Sequence, residues 1–406
     1  MRYRALSDLR VIDLTHFVAG PYATKLLADM GAEVIKVEPP AGEGARSILV
    51  KQRAGAPTAA DSHDRGPLFA FLNTNKLGVT LNLKHARGCA LLTRLLAEAD
   101  LLIENFAPGT MAAFGLAPEA LLDQFPRLSV VSISNFGQQG PDRGTPLTDL
   151  VLFARGGWTY PAGEPDREPI TPPGSLGQYV GALYAAIGTM QALYARDIIG
   201  HGQHVDVSLL EAVAATMIYD TVTFQYTGAL RTRQGRLFAR ISAFIATLRC
   251  RDGYAGIHCV SERQFEALYG FIGSPGLARD PRFALPLDRA AHIDELLALV
   301  ESFFARHDAA FLYREGQKRG IPIVPIPTLA QVLEWEQLKA RRFFETLDDP
   351  ALGKIRVPGN PLRLASHAPE PTRPAPRLGE HNREILGHRL GLSDSDLEQL
   401  RTARII

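Results

Sequence analysis

Gln178 stands in the stretch Pro172-Pro173-Gly174-Ser175-Leu176-Gly177-Gln178-Tyr179-Val180-Gly181, just ahead of an apolar helical run at 185–196. Its amide is neutral and delocalised. It donates and accepts hydrogen bonds, but it cannot open a covalent cycle as a carboxylate of nearly the same bulk can. The carboxylates closest to it in sequence are Asp149, Glu164, Asp166 and Glu168, and Glu164-Pro165-Asp166 reads as an exposed turn. Near the other end, His16-Phe17-Val18-Ala19-Gly20-Pro21 leads into a helix whose first turn suits Pro21. The N–H groups of Phe17, Val18 and Ala19 therefore come free at a helix start, where they can meet anionic or carbonyl oxygens.

The elements that must position these residues alternate between strand and helix. Leu9-Arg10-Val11-Ile12-Asp13-Leu14 and Ala32-Glu33-Val34-Ile35-Lys36-Val37-Glu38 are β-rich and flank a helix that ends at Gly31. Further strands are predicted at 79–83, 101–105 and 130–133, with a helix near 88–99, so an α/β fold with a parallel sheet and right-handed crossovers is expected. No G-x-G-x-x-G follows the first strand, which counts against a dinucleotide site. Residues 50–66 read as a polar surface insertion, and long helices are predicted at 177–197 and 205–226. The large domain is expected to take 1–227 and to be completed by a Pro-rich return segment at 328–406. Between them lie a basic, glycine-punctuated linker at 228–240 and a smaller α+β domain at 241–327, with a hairpin turn at Asp252-Gly253.

Composition narrows the function classes. With 406 residues, 46% apolar and 21% charged, the chain reads as a multi-unit globular protein. Forty-four basic residues against 43 acidic ones, without a single-sign run, supply no face for nucleic acid. No stretch reaches the roughly 18 apolar residues of a membrane span, and the N-terminus lacks a signal-peptide pattern. Cys89, Cys250 and Cys259 lack metal-ligand spacing, so no metal site is expected and the thiols read as buried in a reducing, cytoplasmic setting.

Several blocks in order along the chain carry a resemblance. They are Asp13-Leu14-Thr15-His16-Phe17-Val18-Ala19-Gly20-Pro21, Gly31-Ala32-Glu33-Val34-Ile35-Lys36-Val37-Glu38-Pro39-Pro40, Glu104-Asn105-Phe106-Ala107-Pro108-Gly109 and Phe136-Gly137-Gln138-Gln139-Gly140-Pro141, then Gly320-Ile321-Pro322 and Pro376-Arg377-Leu378-Gly379-Glu380-His381. Together with the run from Gln178 through Gly200-His201-Gly202-Gln203-His204-Val205-Asp206-Val207-Ser208, the chain resembles the family III CoA-transferases, the carnitine and bile-acid type. The resemblance implies a Rossmann-like large domain built from both chain ends, a smaller domain between them, and dimers interlocked like two chain links. It also implies coenzyme A and acyl-CoA as substrates, with no permanently bound cofactor. In the family an Asp attacks the thioester, and the resulting mixed anhydride is converted to an aspartyl-CoA thioester before the acceptor acid completes the cycle. Counting back from Gly188, that Asp falls on Gln178.

The family's CoA-contacting positions map to Phe17, Val18, Ala19, Arg46, Lys84, Asn105 and Phe106, and Asp149 matches a supporting carboxylate. Two cations common in the family are missing, with Ala113 and Leu77 in their places, and each lost charge-assisted hydrogen bond costs about 1.5–3 kcal/mol. The racemase branch needs a His and an Asp where this chain has Thr148 and Gln178. These departures point to a non-nucleophilic subunit whose paralogous partner carries the Asp, as in two-subunit members of the benzylsuccinate and malate types. Alternatives are a homodimeric transferase with a different nucleophile or a ternary-complex mechanism, for which Asp149, Glu164, Asp166 and Glu168 are candidates, and a regulatory acyl-CoA-binding protein. Tyr184, Tyr194, Tyr219, Phe224 and Tyr226 read as core rather than as a pocket for an aromatic acid.

Overall fold

The first strands place β-branched and leucine side chains on both faces, the pattern of strands buried beneath helices on each side. In the computed structural model, which describes residues 4–48, 66–235, 237, 243–350, 353–365 and 372–406, they form a six-stranded parallel sheet. The strands are β1 (Arg10–Asp13), β2 (Glu33–Glu38), β3 (Leu77–Thr80), β4 (Leu101–Glu104), β5 (Ser129–Ser134) and β6 (His204–Ser208). Their order, β3-β2-β1-β4-β5-β6, is that of a Rossmann-like sheet and reverses between β1 and β4. Ile12 lies beside Ile35 on one neighbour and Leu102 on the other, all three fully buried.

The helices that surround this sheet and its loops are α1 (Ala19–Asp29), α2 (Pro67–Leu72), α3 (Ala86–Leu96), α4 (Thr110–Ala113), α5 (Pro118–Gln124), α6 (Asp149–Arg155), α7 (Leu176–Ile199) and α8 (Leu209–Ala215). The span 205–226, expected as one helix, begins instead as β6. His204-Val205-Asp206-Val207-Ser208 alternates β-branched and polar residues, and it pairs with β5 from Val130↔His204 to Ser134↔Ser208. Only after Ser208, whose hydroxyl accepts the Glu211 N–H, does the chain turn helical.

The chain divides into two packed units. One comprises Met1–Gly156, Pro172–Ile218 and Lys339–Ile406, and the other Gly157–Thr171 and Tyr219–Leu338. The boundaries therefore fall at 218 and 338 rather than 227 and 327, and the excursion 157–171 belongs with the second unit. Glycine and charge mark where a chain can loop, whereas the boundary lies where the packing partners change. The second unit holds the antiparallel strands β7 (Phe244–Cys250), β8 (Gly253–Cys259) and β9 (Ile323–Pro325), with the Asp252-Gly253 hairpin as expected. Its core gathers Phe244, Phe265, Tyr269, Phe283, Phe304 and Ile323. Cys250 and Cys259 are buried there, and burial pushes the Cys259 thiol up to about 12.

The C-terminal part returns to the first unit through the hairpin β10 (Phe344–Asp349) and β11 (Gly353–Pro358), which sequence inspection missed. His381 and Asn382 then seal the open edge of β3. The Gly78 N–H donates to His381 Nδ1, the Thr80 N–H to Asn382 Oδ1, and the His381 N–H to the Gly78 carbonyl. Ile385, Leu386, Leu397 and Ile405 enter the same core as Ile12 and Leu14, so both chain ends build one unit.

One face of α7 is buried through Gly181, Ala182, Ala185, Thr189, Ala192 and Leu193. The opposite face exposes Leu183, Ile187, Met190, Tyr194 and Ile198, at helical spacing. The aromatics expected in the core sit outside it. Tyr194 is 72% and Tyr226 91% exposed, and Tyr184 and Phe224 are exposed as well. The Tyr219 side chain lies outside the described residues, as do residues 50–65 of the expected insertion. The 3.6-residue period of α7 is carried by two faces, and a single chain covers only one of them.

Candidate active site

The loops after β1, β4 and β5 leave the carboxyl edge of the sheet where its strand order reverses, the position at which open α/β sheets hold ligands. The loop after β1 is fixed at almost every polar atom. Asp13 accepts from the Thr15 N–H and hydroxyl and from the Thr24 hydroxyl, and Lys36 Nζ donates to the Thr15 carbonyl at 2.8 Å. The Asn105 side chain, just beyond β4, accepts from the His16 N–H and donates back to its carbonyl, at 2.8 and 2.9 Å. Glu43 accepts the Phe17 N–H at 3.0 Å. These bonds hold Phe17 at φ +61°, a left-handed conformation that costs a bulky residue on the order of 1–3 kcal/mol. Its ring lies against Gly44, where an added Cβ would approach within 2.8 Å, so a side chain at residue 44 would have to displace the ring.

Beneath this loop, Lys76 Nζ reaches Asp13, the Pro21 carbonyl and Asn73 Oδ1, all wholly buried. Burial opposes the Asp13 charge, but Lys76 and Lys36 outweigh it and hold the carboxyl well below the usual range. Burial also pushes Lys76 down to about 8, which leaves it charged at neutral pH.

Asp149 opens α6 and points to the start of α7, where its Oδ2 accepts the Gly177 N–H at 3.3 Å. Gly177 permits this approach, since a Cβ there would sit 2.5 Å from Leu152 Cδ2. Burial pushes the Asp149 carboxyl up, against the two helix N–H groups that favour its charge, and its other oxygen is buried without a partner among the described residues. Gln178 follows in the first turn of α7, half-buried, and the neighbouring Tyr179 packs edge-on against Tyr22 of α1 at 4.9 Å.

A cavity of about 640 Å³ joins these parts. Phe17, Ala19, Asn105, Phe106, Asp149 and Gln178 all line it. Among the residues singled out from sequence, Val18, Arg46 and Lys84 do not. Val18 is buried at the N-cap of α1. Lys84 is an exposed side chain beyond β3. Arg46 is buried, makes two 2.7 Å bonds to Glu38 and stacks at 3.8 Å on the Phe69 ring of α2. Burial opposes the Glu38 charge, yet Arg46 holds that carboxyl below its ordinary range. The Phe17 N–H is likewise committed to Glu43, so of the three residues at this helix start Ala19 is the one left to offer its backbone to the cavity. Of the two missing cations, Leu77 packs against the core and Ala113 is exposed on α4.

If the Arg46 contacts are structural, Arg46→Lys removes a bidentate pair and a stack while keeping the charge. Thermal unfolding is then expected to show a loss of about 1–2 kcal/mol, with CoA affinity by calorimetry unchanged within twofold. A CoA affinity that falls tenfold while stability holds would place the guanidinium on a phosphate instead.

Glu104, the last residue of β4, was legible only as part of a motif and had no assigned role. Its carboxylate accepts the Phe106 N–H at 2.7 Å and so shapes the loop that presents Asn105 and Phe106. Burial pushes it up to about 7, against the bonds from Ser132 and Phe106, with Asp206 adding to the rise. A carboxyl whose folded value is raised contributes stability on the acid side that is lost as pH rises from about 4.5 through 7. Glu104→Gln, measured by denaturant unfolding between pH 4.5 and 8, should therefore gain on the wild type with rising pH, by on the order of 3 kcal/mol. A constant difference across that window would show that Glu104 ionises normally.

The description of CoA-transferase family III matches residues 6–382. The chain belongs to this family. It is 34% identical over 404 residues to the succinyl-CoA–D-citramalate CoA-transferase of Chloroflexus aurantiacus, covering 99% of this chain and 98% of that one. It is 32% identical over 406 residues to the succinyl-CoA–L-malate CoA-transferase beta subunit of the same organism, with the same coverage. Among solved structures, a CAIB/BAIF family protein from Brucella suis superposes with a TM-score of 0.79 at 31% identity, covering 94% of this chain and 98% of that chain. Family III members take CoA thioesters as substrates and hold no permanent cofactor. Among the described residues no helix is long and apolar enough to cross a membrane, and no cluster of three or more His, Cys, Asp or Glu could hold a metal.

Proposed function

We propose that this chain is the non-nucleophilic subunit of a heteromeric CoA-transferase, with the catalytic Asp on a paralogous, interlocked partner. The observation that carries the reading is Gln178 itself. It occupies the first turn of α7 beside a supporting carboxylate and lines the cavity at the sheet's switch point, yet it bears an amide. Phe17, Ala19, Asn105 and Phe106 still line that cavity, and a carboxylate at position 178 is what it lacks. Glu164, Asp166 and Glu168 are exposed in the second unit and do not line this cavity, which leaves Asp149 as the carboxylate there. The exposed stripe on α7, with Tyr194 and Ile198 about 70% accessible, is the kind of apolar surface that a partner covers. That one relative is described as a beta subunit agrees with a two-chain assembly.

The test is purification from the native source followed by mass determination of the intact complex. A hetero-oligomer containing a paralogue with the Asp is expected, and the chain expressed alone should be poorly soluble or inactive. Recovery of a homo-oligomer with full transferase activity would sink the reading and favour the ternary-complex alternative.

A further inference from the structure

Two polar side chains on the wall of the Gln178 cavity have no partner among the described residues. Ser134, at the carboxyl end of β5, is 95% buried, and its hydroxyl makes no hydrogen bond. A buried hydroxyl left so carries an uncompensated desolvation cost, which a ligand oxygen facing it would recover. Arg143 lines the same cavity from the loop after β5. Several other arginines on the surface of this unit are paired, Arg10 and Arg389 with Glu33, Arg383 with Asp394, and Arg401 with Glu398. Even Asp142, next to Arg143 in the chain, is taken by Arg155 at 3.3 Å. Among the described residues the Arg143 guanidinium meets no carboxylate. Its loop is nonetheless held in place, with the Thr145 N–H on the Asp142 carbonyl at 2.8 Å and the Asn135 amide on the Thr145 carbonyl.

We infer that Arg143 and Ser134 form a carboxylate-binding subsite, through which this cavity selects short dicarboxylic acids. The inference rests on the proposed reading of the cavity as the acyl-acid pocket. Three features argue for the class. A free guanidinium presents a fork of donors matched to a carboxylate. The α7 end of the cavity carries Asp149, which repels a second anion unless that end of the ligand is a neutral acyl group or hydrogen-bonds to the Gln178 amide. Phe17, Ile133 and Leu209 add apolar surface to the same cavity wall, suited to a short methylene spacer. The ligand is thus an acid anchored by one carboxylate at Arg143, with its other carboxyl group directed towards Gln178. Because Gln178 cannot be acylated, the acid is held here without covalent capture.

The test is calorimetric titration of the purified native oligomer with malonate, succinate and glutarate, against butyrate as the monocarboxylate control and CoA as the phosphate control. At least one dicarboxylate is expected to bind tenfold or more tightly than butyrate. Arg143→Gln should lower its affinity about 10- to 100-fold, the size of one charge-assisted pair, while Arg143→Lys recovers part of that loss. Ser134→Ala should lower it several-fold, and CoA affinity should stay unchanged in all three variants. Arg143 is exposed and Ser134→Ala deletes a single atom, so circular dichroism should confirm that each variant folds.

Butyrate binding as tightly as the dicarboxylates would overturn the proposal, and so would the absence of any dicarboxylate binding. An Arg143→Gln variant that loses CoA affinity while keeping dicarboxylate affinity would overturn it as well, and would assign the guanidinium to a CoA phosphate. An active homo-oligomer defeats the proposed subunit role but leaves this binding series to stand or fall by itself.

Discussion

Gln178→Ala in this chain is expected to leave CoA transfer by the assembled enzyme within about threefold of wild type, whereas replacing the nucleophilic Asp of the proposed partner with Ala should abolish it. Loss of a covalent nucleophile typically costs on the order of 10⁴- to 10⁶-fold in rate. Loss of an amide that only lines a pocket costs a hydrogen bond at most. Both variants are to be assayed as the co-purified complex, with hydroxylamine added during turnover to convert acyl-carboxylate intermediates to hydroxamates. Mass spectrometry of the separated subunits should find the hydroxamate on the partner alone. A hydroxamate at Asp149 of this chain would refute the passive role, because Asp149 lines the same cavity and has one carboxylate oxygen without a partner among the described residues. Gln178→Asp supplies the converse: modification should appear at position 178, provided CoA reaches the cavity.

The second large effect is on stability. Asp13→Asn strips the counter-charge from Lys76, which has no exposed side-chain surface, and weakens the hold on Lys36. Breaking a buried pair from one side typically costs about 3–5 kcal/mol, and denaturant unfolding of the first unit should show a loss of that size. Lys76→Met should cost a similar amount. The double variant should lose less than the sum, because the second change removes the charge that the first left uncompensated. The pH dependence has a definite sign. The Asp13 carboxyl is held well below its unfolded value near 3.9, so its contribution is complete above that pH and disappears as the solution is acidified further. Asp13→Asn should therefore be least damaging at the acid end. A loss below 1 kcal/mol at neutral pH would mean that the Thr15 and Thr24 hydroxyls and the other ligands of Lys76 suffice. Because the same network ties down the loop that carries Phe17, CoA affinity is expected to fall together with stability.

The α/β class, the first strands, the Asp252-Gly253 hairpin and the position of Gln178 were all legible in the sequence, because each depends on local pattern or on a motif of fixed spacing. The fate of the charged residues was not. Arg46 reads equally well as a phosphate ligand or a surface cation, and its burial against Glu38 and Phe69 follows from how β2 and α2 pack. Glu104 looks like an ordinary strand end until Ser132 and Asp206 arrive beside it from strands about 30 and 100 residues further on. Tyr194 and Ile198 fit a helical apolar period that says nothing of which face the chain itself will cover. By itself, then, the sequence determined the first strands of the sheet, the family motifs and the amide at position 178, all features written in neighbouring residues. The tertiary structure decided which polar groups are spent on one another and which, like Ser134 and Arg143, have no side-chain partner among the described residues, because hydrogen-bond and ion-pair partners are set by distances across the fold rather than by spacing along the chain.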